Sequence, residues 1–93
     1  MKNIFEILLN LNSKKEIESF FNEIFTQNEL KTLQKRWRIM ELLAQGNTQR
    51  EIANSLNVSL CKVTRGAKIL KDKNAITTRF LNKGNENEQH HTR

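Results

Sequence analysis

The chain has 93 residues, sixteen Lys/Arg against ten Asp/Glu, no proline, three glycines and one cysteine. That length holds one domain with a small core, which packing against a second copy would extend, and a single cysteine excludes an intrachain disulfide, as suits a reducing cytoplasm. The net charge of +6 is unevenly placed: residues 31–83 carry twelve Lys/Arg against Glu41, Glu51 and Asp72, a net of +9, so the expected partner is a polyanion, nucleic acid before anionic lipid.

Apolar residues recur at helical spacing and strict alternation is absent, so the expected class is all-α. The first helix, about 2–11, is apolar nearly all round through Ile4, Phe5, Ile7, Leu8, Leu9 and Leu11. Such a helix must be buried on several sides, which a chain this short achieves best as an oligomer. The stretch MKNIFEILLNLN has no small-residue cleavage site and is too short to span a bilayer, so the mature protein is expected to begin here, without a membrane segment. Ser13–Glu16, Thr26–Glu29 and Thr48–Glu51 are three capping boxes, each opening a segment of 3.6-residue period. They place a second helix at about 14–24, burying Ile17, Phe20, Phe21 and Ile24, and a third at about 27–45, with the stripe Leu30, Leu33, Trp37, Met40 and Leu43/Ala44. Trp37 is expected in the core, and Gly46 is placed to end the third helix. A short fourth helix is expected at about 49–55. A fifth follows at about 60–71 with Ser59 as N-cap, and a sixth at about 75–82 carries Ile76 and Phe80. One domain is expected over 1–83. The polar stretch 84–93 is expected to be a disordered tail, and its His90 and His91 form no fixed metal site.

Residues 48–70, TQREIANSLNVSLCKVTRGAKIL, have the layout of a helix-turn-helix, set within about 48–71. Ala53 permits close crossing, Ile52 and Leu56 form the inner face, Val58 plugs the turn, and Val63 and Leu70 anchor the second helix. Asn57 sits where the turn demands a positive φ, which asparagine tolerates. The outward residues are polar: Gln49, Arg50, Lys62, Thr64, Arg65 and Lys68. A recognition helix lays its N-terminal half in the major groove, where Arg50 could pair with guanine and Leu60, Cys61 and Thr64 could meet thymine methyls or hold bridging waters. Lys62 and Lys68 suit phosphates, and Lys71 is a further candidate DNA-binding residue. Paired carboxylates, a nucleophile beside a base and a phosphate-cradling glycine loop are all missing, so no enzyme activity is expected. Gly66 interrupts the helix where a core residue is usual, and a slot for something flat and apolar is expected beside Arg65.

TQREI followed by VTRGAKILK, with FTQNEL…RWRIMELL before it, resembles the bacterial tryptophan repressor family over about residues 24–71, and the helix order extends the likeness loosely to 2–83. The resemblance implies a six-helix, intertwined homodimer that represses transcription from a palindromic double-stranded DNA operator. Its corepressor would be L-tryptophan, or a related indole ligand, bound between core and reading head. The indole would lie between Arg36 and Arg65 above Gly66, near Thr26, with backbone carbonyls at Glu23 and Phe25 taking the amino group. Arg38 matches a phosphate-contacting arginine, and Arg50, Leu60, Cys61 and Thr64 fall on base-reading positions. Two guanidinium planes can sandwich an indole, and the ligand raises DNA affinity only by as much as it favours the binding angle.

The sequence departs from the family pattern at Ile69, where a serine is usual. Positions 65, 66 and 69 share a helix face, so Ile69 points toward the same slot. The turn NVSL replaces a glycine-richer stretch, and QGNTQ is one residue shorter than in the best-known members. Two alternatives therefore stand beside the tryptophan-responsive repressor: a related regulator that does not respond to tryptophan, and a module that binds DNA through charge alone.

Overall fold

The computed structural model describes residues 3–82, and all of its regular structure is helical. Helices α1 (Ile4–Leu9), α2 (Lys14–Ile24), α3 (Gln27–Ala44), α4 (Gln49–Leu56) and α5 (Leu60–Lys71) follow in order, and α6 covers 76–82. The all-α, six-helix expectation holds. The expected tail, with His90 and His91, lies outside the described residues. The chain divides into two compact units, Met1–Leu33 and Gln34–Arg93.

In the first unit the helix starts are set by side-chain caps. Asn3 Oδ1 accepts from the Phe5 and Glu6 N–H groups at 2.8 and 3.3 Å, and Ser13 Oγ from the Glu16 N–H at 3.1 Å. The box is reciprocal, except that Glu16 Oε1 accepts from the Asn12 N–H, at 2.7 Å, rather than from that of Ser13. α1 is shorter than the apolar run suggests, because Asn10 caps it, its amide nitrogen donating to the Glu6 carbonyl at 2.9 Å. Along α2 and its C-cap the ring centroid of Phe21 lies 6.2 Å from that of Phe20, edge to face, and 5.3 Å from that of Phe25, tilted. Neither α1 nor α2 contains a buried residue, and Phe5 and Leu9 are 71% and 86% exposed.

The core sits in the second unit. Ile39 from α3, Ile52 from α4 and Val63 from α5 are its fully buried members, with Leu42, Leu43, Ala53, Leu56 and Val58 packed around them. Of the apolar positions assigned to the helix-turn-helix, Ile52, Ala53, Leu56, Val58 and Val63 therefore face inward as expected, whereas Leu70 is half-buried and outside this cluster. On α3 the outcome differs: Ile39 enters the core, whereas Trp37 is 45% exposed. The apolar band of α3 is wide enough to have two faces, and α4 and α5 cover only the one containing 39, 42 and 43.

Local backbone chemistry sets the angles between these helices. Gly46, at φ +94°, ends α3; its N–H donates to the Leu43 carbonyl and that of Asn47 to the Leu42 carbonyl, the paired bonds of a Schellman motif. Thr48 Oγ1 caps α4 through the Glu51 N–H at 3.2 Å. Asn57 adopts the left-handed conformation (φ 54°, ψ 52°) at the end of α4, and Ser59 caps α5. Past α5, the buried Thr78 hydroxyl of α6 donates to the Ile69 carbonyl at 3.0 Å, fastening α6 to the end of α5.

Candidate nucleic-acid interface

The buried and open faces of α5 are set by the same twelve residues. Val63 and Gly66 face inward and are buried; Leu60, Cys61, Lys62, Thr64, Arg65 and Lys68 are exposed. Leu60 is 46% exposed although apolar, and Cys61 is a free thiol. An apolar side chain, a thiol and a hydroxyl near the helix start, flanked by cations, match a groove edge that carries thymine methyls and hydrogen-bonding atoms between two rows of phosphates. Lys68 and Lys71 occupy the last turn of α5, where cations also suit the negative end of the helix dipole.

The start of α4 lies against this face. Arg50 is exposed and Gln49 is half-buried. Thr64 Oγ1 lies 2.9 Å from Gln49 Oε1, across 15 residues of sequence, and 3.0 Å from the Leu60 carbonyl one turn earlier in α5. On α3, Arg36 and Arg38 are both exposed. Arg38 Nη1 is 3.5 Å from Glu41 Oε1, with side chains 50% and 37% exposed. An exposed pair of this kind contributes about 0–1 kcal/mol, so the guanidinium is readily given up to a phosphate. Arg36 and Arg65 form no ion pair among the described residues.

Gly66 corrects one expectation. Its inward side is not empty: a Cβ built there would lie 2.9 Å from Met40 Sδ, 3.2 Å from Leu43 Cδ1 and 3.3 Å from Ile39 Cγ2. The missing side chain lets α5 pack closely on α3, and side chains of α3 fill the space the sequence left. Ile69 is 36% exposed, and its carbonyl accepts from the Thr78 hydroxyl and the Asp72 N–H.

The remaining ligand candidates fall in the first unit. Thr26 closes a complete capping box, its N–H donating to Glu29 Oε1 at 2.8 Å and its Oγ1 accepting from the Glu29 N–H at 3.1 Å. Phe25 ends α2 in extended conformation, its N–H donating to the Phe21 carbonyl. Glu23 lies on the rim of a shallow cleft with Leu11, Ser13 and Phe20. Sequence reasoning missed the pairing of Gln49 with Thr64, the filling of Gly66 by Met40, and the Thr78 clasp. Each joins residues from different helices, and no local spacing announces them. No group of three or more His, Cys, Asp or Glu converges as a metal site among the described residues, and no described helix is long and apolar enough to cross a membrane.

An exposed, cation-flanked helix held on a short first helix by a left-handed turn defines a helix-turn-helix DNA-binding protein. The chain belongs to the Trp repressor protein family, whose profile matches residues 1–85. It is 40% identical over 72 residues to a Trp operon repressor homolog of Xylella fastidiosa (strain M23), covering 76% of this chain and 78% of the relative. It is 35% identical over 83 residues to one of Chlamydia trachomatis serovar L2, covering 84% and 88%. A Trp operon repressor homolog of Chlamydia caviae is 34% identical over 76 residues, covering 81% and 72%. No solved structure matches the chain. The family is a regulatory DNA-binding one and not a family of enzymes, so a repressor-like role in transcription follows.

Proposed function

We propose that this protein is a cytoplasmic, homodimeric transcriptional repressor that reads a palindromic operator with α5 and takes L-tryptophan, or a related indole, as corepressor. The observation that carries the DNA-reading part is the open face of α5, where Leu60, Cys61 and Thr64 stand exposed between Lys62, Arg65 and Lys68. Arg50 reads a base edge from α4; Gln49 belongs to the same reading face beside Thr64; Arg38, Lys62, Lys68 and Lys71 hold phosphates. The dimer is supported by the first unit's lack of buried residues in α1 and α2, which leaves Phe5, Leu9, Ile17 and Ile24 open to a second copy. Two reading heads related by a two-fold axis match half-sites about one DNA turn apart.

The corepressor would lie with its indole between Arg36 and Arg65, above Gly66 and near Ile69. Two of the three atoms nearest Gly66 favour an adaptable site, the third, Ile39 Cγ2, sitting on a stiffer β-branched carbon. Met40 Sδ and Leu43 Cδ1 are the far parts of flexible side chains, which a flat ring can push aside. A second reading, a regulator that does not respond to tryptophan, is favoured by the filled space at Gly66 and by the apolar Ile69.

Isothermal titration of the full chain with L-tryptophan and with indole-3-propionate separates these readings. Heat with L-tryptophan supports the corepressor. Heat with indole-3-propionate alone points to an indole without the amine, the ligand class that Ile69 suits. No heat with either, at concentrations suited to micromolar affinity, leaves the tryptophan-independent regulator. For the DNA-reading claim, a scrambled duplex that competes as well as every selected palindrome would leave only charge-driven binding.

A further inference from the structure

The contact between Gln49 and Thr64 joins the two helices of the reading head at a residue that faces outward. Thr64 carries one hydroxyl proton, yet two acceptors stand within reach, the Leu60 carbonyl at 3.0 Å and the Gln49 side-chain amide at 2.9 Å. One proton cannot serve both. The nitrogen and oxygen of a glutamine amide exchange places by a half-turn. With the nitrogen toward Thr64, every group is satisfied: the Thr64 hydroxyl donates to the Leu60 carbonyl, and the Gln49 amide N–H donates to Thr64 Oγ1. A hydroxyl held in this way has spent its proton and one lone pair. It offers the groove one lone pair and its methyl group, and it cannot donate.

We propose that Gln49 is a positioning residue that fixes Thr64 as an acceptor, and so sets which base Thr64 tolerates. An acceptor beside a methyl group suits base edges that present an N–H donor or a methyl, namely adenine N6, cytosine N4 or the thymine methyl. It opposes guanine, whose O6 and N7 are both acceptors. Gln49 is half-buried while Thr64 is exposed, so Gln49 braces Thr64 from the side toward α4. Without Gln49 the hydroxyl is freer to turn outward and donate, and the exclusion of guanine weakens.

The inference rests on the DNA-reading role proposed above, and the test separates the two. The full chain selects a duplex from a randomised palindromic pool, and binding is then measured with each base substituted at each position, for the native protein, Thr64→Val, Gln49→Met, Thr64→Ser and the double variant Gln49→Met/Thr64→Val. Methionine keeps the length of Gln49 without its amide. The position facing Thr64 is the one whose discrimination Thr64→Val removes. At that position Gln49→Met is expected to lower the discrimination against guanine about five- to tenfold, the worth of one hydrogen bond. Elsewhere its preferences should stay native. Thr64→Ser should retain the exclusion of guanine, and Gln49→Met should change nothing further once Thr64 is valine. Far-UV melting checks that the variants fold. The proposal is overturned if Gln49→Met weakens selected and scrambled duplexes by one common factor, the mark of a phosphate contact. It is equally overturned if the two substitutions act additively, or if Thr64→Val alters no position. If the native chain prefers no duplex over scrambled DNA, the repressor reading fails and this proposal falls with it.

Discussion

At the scale of single residues, Gly66 sets two effects against each other. Alanine in a helix interior is favoured over glycine by about 1 kcal/mol, but its Cβ would enter the contact with Met40, Leu43 and Ile39. Met40 and Leu43 can yield at their far ends, whereas Ile39 Cγ2 sits on a stiff β-branched carbon. Gly66→Ala should therefore lie within about 1 kcal/mol of the native stability, its helix gain offset by the strain. Gly66→Leu should destabilise by about 1–3 kcal/mol through overpacking. Removing bulk from the partner tests the cause: in a urea-denaturation cycle, Met40→Ala should relieve Gly66→Leu by at least ~0.5 kcal/mol, and strictly additive losses would show that Met40 is not the obstacle. Asn57 is a simpler case. Its left-handed backbone is costly for a β-branched residue, so Asn57→Val should destabilise by about 1–2 kcal/mol, and Asn57→Gly should be nearly neutral in the same assay.

At the scale of elements, the caps and clasps decide where each helix starts and what holds its end. Thr48 Oγ1 accepts from the Glu51 N–H, and its hydroxyl lies 2.9 Å from the Glu51 carboxylate, to which it donates. Thr48→Ala removes both hydrogen bonds and should cost about 1 kcal/mol by thermal melting; an unchanged melt would mean that α4 is held by packing alone. Thr78→Val keeps the shape of the clasp between α6 and α5 but deletes its hydrogen bond. Because the Ile69 carbonyl still accepts from the Asp72 N–H, no carbonyl is orphaned, and the loss should stay near 1 kcal/mol. Amide exchange should quicken in α6 before the core of α5.

At the scale of the whole molecule, the uneven distribution of burial and charge governs assembly and DNA affinity. Ile39, Ile52 and Val63 form a core within the second unit, while α1 and α2 contain no buried residue. Association should therefore carry much of the stability. The melting temperature should rise with protein concentration, and Leu9→Asp should shift sedimentation toward a single-chain mass. A melting temperature independent of concentration, together with a single-chain mass for the native protein, would contradict the dimer. On DNA, the logarithm of affinity should fall linearly with the logarithm of salt concentration. Lys62→Ala leaves one phosphate per reading head without its cation and should lower that slope by about 1 for each such phosphate, with little change in base preference.

What the sequence determined by itself is what local chemistry controls. Capping residues, the breaker at Gly46, the αL asparagine at Asn57 and the period of the apolar positions all act within one or two turns, so the limits of α2 to α5 and the helix-turn-helix were legible before any packing was known, whereas α1 proved shorter than its apolar run. The motif TQREI…VTRGAKILK likewise located the candidate reading positions. Tertiary structure decided what a residue meets on another helix. Ile39 rather than Trp37 enters the core because α4 and α5 cover only one face of a helix that is apolar on two. The gap at Gly66 became a close contact because Met40 and its neighbours on α3 could fill it, which the bare absence of a side chain cannot reveal. The hydrogen bond of Thr64 to Gln49 spans 15 residues and depends on the crossing of two helices. Local periodicity specifies which face of a helix is apolar; only the packed fold specifies which neighbour covers it.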